Sequence, residues 1–289
     1  MEPGPILLVT QYDGRGFAGW QRQPGQRTVQ GEVERVLARL CGAPVAAVAA
    51  GRTDAGVHAH GQGVGVQPGG RWDPPGLRRA LNALLPDDIW VAEAHRMVPG
   101  FHPRFSATAR RYRYLVGTDE GARSPFRRHL EWGVRPALAA EALHAEAASL
   151  LGEHVFRAFA VAHTAPAHDH HRCIIHQARW VPRDGGWCFE VAANRFLHHM
   201  VRFLVGTMVE VAAGRRPAGT VARLLTAADN RDTAPPAPPH GLSLRAVTYP
   251  VASYAASYAA SYAASYAASF AAGAPPAAWA PEGADASPT

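Results

Sequence analysis

Three stretches of this chain carry side chains able to do chemistry. The first is Gly51-Arg52-Thr53-Asp54-Ala55-Gly56-Val57-His58. Two glycines bracket an arginine, a threonine and a carboxylate, which lets a chain turn sharply and still present Asp54 to a cleft. An ordinary turn, with Asp54 bonded to its own backbone, uses the same residue types. The second stretch is 195–212, where Phe196, Leu197, Met200, Val201, Phe203, Leu204, Val205, Met208 and Val209 leave almost no polar face. Such a helix belongs inside the protein. Arg202 sits in its middle and needs an anion, either a protein carboxylate or a nucleic-acid phosphate, unless it snorkels to the surface. Gly206, one turn on, clears space beside it, and His198 and His199 read as packing or hydrogen-bonding residues. The third stretch is Ala109-Arg110-Arg111-Tyr112-Arg113-Tyr114. On a strand, Arg111 and Arg113 share one face and Tyr112 and Tyr114 the other. Aromatics beside arginines suit stacking on an unpaired base, although cross-strand aromatics on a half-exposed strand look alike.

Two further features are weaker. His168-Asp169-His170-His171, with His163 and His176 nearby, raises a metal site, but the spacing matches no ligand pattern and the surroundings read as a loop. Asp13-Gly14-Arg15-Gly16-Phe17 lacks the ending of a phosphate-binding loop.

The elements that must position these groups follow from periodicity. Ile6-Leu7-Leu8-Val9 reads as a strand, and Thr28 caps a helix whose apolar face is Val29, Val33, Val36, Leu37 and Leu40. Further strands are expected at 45–50, 61–66, 89–94, 107–116, 174–181, 187–193 and 242–249. Helices are expected at 75–85, 137–151, 195–212 and 220–227. Strands and helices mix without regular βαβ alternation, so the expected fold is α+β in two related halves, 1–104 and 105–250. From 251 to 289 the chain changes to a Ser-Tyr-Ala-Ala repeat, with Tyr254, Tyr258, Tyr262 and Tyr266 four apart. This reads as a low-complexity tail, disordered or marginally helical, and too poor in strongly apolar residues to span a bilayer.

Composition narrows the partner. The chain has 289 residues, about two domains' worth, and a hydrophobic content of 47% that supports a sizeable core. Only two of its 23 acids, Glu282 and Asp285, lie in the tail, which holds no base, so the body carries 29 bases against 21 acids. Every base is arginine, a bias that a GC-rich genome also produces. Guanidinium forks suit phosphate oxygens and stack on bases, so a polyanion, RNA or DNA first, is the favoured partner. Cys41, Cys173 and Cys188 form no CxxC pair, and the start lacks the features of a signal peptide. A reduced, soluble, cytoplasmic protein is expected.

Taken in order, several motifs resemble one family, the tRNA pseudouridine synthases of the TruA type. They are Tyr12-Asp13-Gly14, Gly19-Trp20-Gln21-Arg22-Gln23, Thr28-Val29-Gln30-Gly31, the 51–59 loop, Phe101-His102 and Arg104-Phe105-Ser106-Ala107. Then come Arg111-Tyr112-Arg113-Tyr114, Gly152-Glu153-His154, Phe196-Leu197-His198-His199-Met200-Val201-Arg202 and Ala237-Pro238-Pro239-His240-Gly241-Leu242, so the matches cover about 5–250. The resemblance implies a pseudouridine synthase fold with a mixed, mainly antiparallel central sheet flanked by helices. It implies isomerisation of uridine to pseudouridine at positions 38, 39 and 40 of the tRNA anticodon stem-loop, by a homodimer that uses no metal or cofactor. Residue by residue, Asp54 matches the catalytic aspartate, Tyr112 the tyrosine against the target base and Arg202 the arginine paired with the aspartate. Arg52 matches a loop arginine that assists base flipping, and Leu244 an apolar pocket residue. Arg195, Phe203, Val155 and Ser243 depart from the family's usual residues, and none is the expected nucleophile. The competing readings are a non-catalytic tRNA-binding protein on the same scaffold and a metallohydrolase built on the 163–176 histidines.

Overall fold

The computed structural model describes residues 4–69, 72–135, 137–161, 164 and 170–255. Its centre is one ten-stranded, mixed and mainly antiparallel sheet. The first part of the chain supplies β1 (Ile6–Tyr12), α1 (Val29–Cys41), β2 (Val48–Ala49), β3 (His58–Val66), α2 (Pro74–Asn82) and β4 (Ile89–Arg96). After residue 104 come β5 (Ala109–Gly117), β6 (Trp132–Gly133), α3 (Ala140–Ala148), β7 (Gly152–Val155), β8 (Arg172–Arg183), β9 (Gly186–Ala193), α4 (Met200–Ala212), α5 (Thr220–Leu224) and β10 (Leu242–Thr248). The sheet order is β4-β1-β3-β10-β5-β9-β8-β7, with β2 on β3 and β6 on β5.

The join between the two sets of strands bears on the site. Strand β10, last in sequence, inserts between β3 and β5, parallel to the former and antiparallel to the latter. Leu244 thereby lies opposite Ala59 on one side and Tyr112 on the other. Local chemistry explains the helices. Thr28 Oγ1 accepts from Gly31 N at 3.2 Å to start α1, and Asp73 does the same for α2 at Gly76 N. One continuous core joins Val33 and Leu37 of α1, Leu77 and Leu81 of α2, Leu143 of α3 and Leu204 of α4 to the sheet residues Leu8, Tyr112, Tyr114 and Leu244. Alternation on β5 is as expected: Tyr112 and Tyr114 are buried, while Arg111 and Arg113 are half-buried. The neighbour of Leu8, Leu7, points to the opposite face and joins a smaller cluster with Ala50, Met97, Phe101, Tyr249 and Tyr254.

Two expectations change. The helix expected from residue 195 begins at Met200, because His199 adopts a left-handed conformation (φ 62°) and breaks it. Residues 251–255, assigned from composition to the tail, pack onto the body. Tyr254 is buried, bridges Met97 and meets the His95 ring edge-on at 5.5 Å. One repeat supplies an aromatic that the small cluster needs, and repeat composition does not reveal that. The rest of the repeat, 256–289, lies outside the described residues, as do His163, His168 and Asp169.

Candidate active site

Asp54 sits in the loop between β2 and β3. Tyr12 at the end of β1 lies beneath this loop, its hydroxyl 2.7 Å from Thr53 Oγ1, and burial pushes that phenol up to about 12. Trp20 N donates to Thr53 O and Gln62 Nε2 to Gly51 O, so the loop is tied down on both sides of Asp54. Gly56 completes the turn at φ +77°, a conformation that favours glycine.

Across the cleft, α4 brings Arg202. Its Nη1 donates to Asp54 Oδ2 at 3.0 Å, joining residues 148 apart in sequence. Its Nε donates to Ala237 O at 2.7 Å, and Ala237 N returns a bond to Arg202 O at 3.0 Å. The guanidinium is therefore held from behind by the 235–238 segment before it reaches the carboxylate. Charge-assisted bonds of this kind are among the stronger ones, and a part-buried site screens them little. Gly206 permits the arrangement, because a Cβ there would stand 2.3 Å from Pro235 O.

Two residues read from the sequence as packing or hydrogen-bonding groups stand beside the carboxylate. His199 Nε2 is 3.4 Å from Asp54 Oδ2, and His198 Nε2 is 3.6 Å from Oδ1. Side-chain exposure rises from Arg202 (12%) and Asp54 (17%) to His199 (27%) and His198 (48%), so the cluster opens to solvent on the histidine side. Burial holds the His199 imidazole below its usual range, with Asp54 pulling the other way. A pair of histidines interrupting an apolar run was the available signal. Asp54, His198 and His199 present ligand atoms within 4.8 Å of one another, which is where a metal ion could be held among the described residues. Arg202 at 3.0 Å from the same carboxylate opposes a second cation there.

Tyr112 and Leu244 form the adjoining wall. Tyr112 is buried and meets the Phe196 ring edge-on at 5.1 Å. Burial, then the neighbouring Tyr12 and Asp54, raise its pKa, so the phenol stays protonated. Leu244 is fully buried beside it. Arg52, two residues before Asp54, is exposed, and no hydrogen bond or ion pair holds it among the described residues. Asp54 and Arg202 are in direct contact, Tyr112 and Leu244 pair across neighbouring strands, and Arg52 is exposed.

Comparison with known proteins bears directly on this geometry. A family model described as tRNA pseudouridine synthase matches residues 8–106 and 147–250. The chain belongs to that family. Among its relatives are proteins named tRNA pseudouridine synthase A from Myxococcus xanthus, 40% identical over 248 residues, and Halalkalibacterium halodurans, 43% identical over 244. A third, from Shouchella clausii, is 42% identical over 241 residues. The alignments cover 84%, 82% and 82% of this chain and 91%, 89% and 90% of those relatives, respectively. The matched stretches hold Asp54 in the first and Arg202 in the second, and pass over 107–146, where β5 and Tyr112 lie.

Proposed function

We propose that this protein isomerises uridine to pseudouridine in tRNA, at positions 38, 39 and 40 of the anticodon stem-loop. The observation that carries the reading is the Arg202–Asp54 pair, closed at 3.0 Å beside Tyr112 and Leu244. Isomerisation breaks N1–C1′, turns the uracil and forms C5–C1′; a proton then leaves C5 and N1 gains one. The target base must first leave its stack, at a cost that an aromatic surface partly offsets. Tyr112 offers that surface, Leu244 the apolar wall, and Arg52 at the rim a cation for the displaced backbone or the vacated stack. Asp54 serves as the nucleophile. Attack at the sugar carbon, attack at the base and deprotonation at C2′ all require the same carboxylate, ionised and held in place, and Arg202 favours that form.

The surface suits the substrate. The body's excess of arginine fits a phosphate backbone. Among the described residues, no helix is long and apolar enough to cross a membrane. The reading includes a cytoplasmic homodimer, in which one subunit can orient tRNA while the other does the chemistry. Light scattering on the purified protein tests the dimer.

Asp54→Ala tests the activity. Pseudouridine formation on tRNA, mapped by chemical adduct sequencing, should vanish, while tRNA affinity stays within about tenfold, or ~1.4 kcal/mol. Full activity in that variant would eliminate the assignment. A binding protein without catalysis has no use for a carboxylate gripped in this way.

A further inference from the structure

We propose that His199 is a positioning residue: its imidazole and Arg202 together grip one oxygen of Asp54 and leave the other for the substrate. This rests on the reading of Asp54 as nucleophile. Both Arg202 Nη1 (3.0 Å) and His199 Nε2 (3.4 Å) approach Oδ2. Oδ1 lies 3.6 Å from the more exposed His198, on the side where the cluster opens to solvent. A carboxylate held by one donor still pivots about its Cβ–Cγ bond, and a second donor on the same oxygen stops that motion. At 3.4 Å the His199 contact is an ion-pair approach and not yet a formed hydrogen bond, as catalytic contacts often are before substrate closes the site.

The backbone around His199 is arranged for this contact. Positive φ is rare for residues other than glycine, and histidine and asparagine are among those that tolerate it. His199 holds φ 62° and ψ 3° immediately before α4. Met200 N donates to Leu197 O at 3.1 Å and Phe203 N to His199 O at 3.0 Å, so the chain reverses at this residue as the helix starts. Strained conformations of this type persist where a site uses them. The same turn places Phe196 against Tyr112, so one short segment lines both the base wall and the carboxylate. Burial favours the neutral form of His199, with Asp54 opposing. It can therefore donate Nε2–H to Asp54 without adding a second full positive charge, provided the proton sits on that nitrogen.

Three substitutions separate the side chain from the turn. Glycine keeps the left-handed backbone and removes the donor, glutamine carries an amide donor out to about the reach of Nε2, and alanine removes the donor and disfavours the turn. For His199→Gly, the single-turnover rate on tRNA should fall at least ~10-fold while tRNA Kd changes less than ~2-fold. His199→Gln should recover to within about 3-fold of the parent, and His199→Ala should be the slowest of the three. A glycine variant at the parental rate would overturn the proposal by reducing His199 to a turn former. A rise in Kd that accounts for the whole rate loss would also overturn it, by making His199 a tRNA contact. Asp54→Ala, run alongside, keeps the two claims distinct: activity there sinks the nucleophile, whereas a dead Asp54→Ala with a fully active His199→Gly sinks only the clamp.

Discussion

Replacing Gly206 with alanine sets two known effects against each other. In an exposed helix the change would stabilise by about 1 kcal/mol, because glycine is the poorer helix former. Here the new Cβ would lie 2.3 Å from Pro235 O and 3.3 Å from Ala237 N. Restoring ordinary contact at 3.4 Å requires the carbonyl to retreat by 1.1 Å, the difference between 3.4 and 2.3. Neither side yields cheaply. Helix α4 is buried, and the facing segment is pinned by the two Ala237–Arg202 bonds and by Tyr114, whose hydroxyl donates to Pro238 O at 2.7 Å. A shift of that size opens the 2.7 Å Arg202–Ala237 bond beyond bonding distance. Overpacking costs about 1–3 kcal/mol and loss of a hydrogen bond to a charged group about 1.5–3 kcal/mol. After the gain in helix propensity, the expected net destabilisation is about 1.5–5 kcal/mol. Urea unfolding measures it. The guanidinium, no longer braced from behind, should also release Asp54, lowering single-turnover pseudouridine formation by at least ~10-fold, or ~1.4 kcal/mol in the barrier. An alanine variant as stable as the parent and fully active would refute this account of how Arg202 is held.

The buried Tyr254 predicts an asymmetry between two truncations: ending the chain after Ala255 should preserve stability, whereas ending it after Pro250 removes Tyr254 and its contacts with Met97 and His95. Tyr254→Ala should cost about 2–4 kcal/mol by thermal or urea denaturation, and a neutral result would return the residue to the tail. His60 is exposed on β3, yet local desolvation and then the nearby Arg245 and Arg113 lower its pKa from 6.5 to about 4. The folded state then binds fewer protons than the unfolded state between those values, so this contribution is present above pH 6.5 and is lost as pH falls towards 4. His60→Gln should flatten that part of the stability profile, and NMR titration of His60 near 6.5 would contradict it. Affinity for tRNA should fall log-linearly with salt, and a flat response would remove phosphate contacts as its basis.

Much of the core was legible because its signals are local. The apolar face Val29, Val33, Val36 and Leu37 with Thr28 before it is a complete helix signature, and α1 follows it. The alternation of Arg111-Tyr112-Arg113-Tyr114 likewise assigned inner and outer faces correctly. Motif order pointed to Asp54, Tyr112, Arg202 and Leu244; the fold pairs Asp54 with Arg202 and Tyr112 with Leu244. The misreadings lie where distant contacts overrule local preference. The run from 195 is apolar enough for helix throughout, yet His199 turns left-handed beside a carboxylate contributed by the distant loop between β2 and β3. Tyr254 looks like its repeat neighbours and is buried only because Leu7, Met97 and Tyr249 leave room for it.

The amino-acid sequence by itself determined the element types, the excess of arginine, the need for an anion near Arg202 and the motif series that marks the family. Only the tertiary structure decided which oxygen of Asp54 that arginine takes, that the 235–238 segment braces it, and that two histidines complete the cluster. The physical reason is range. Helix and strand signals, caps and turns act over a few residues, whereas the site depends on a strand from the end of the chain entering the middle of the sheet. That insertion sets Leu244 between Ala59 and Tyr112 and helps bring together groups 148 residues apart.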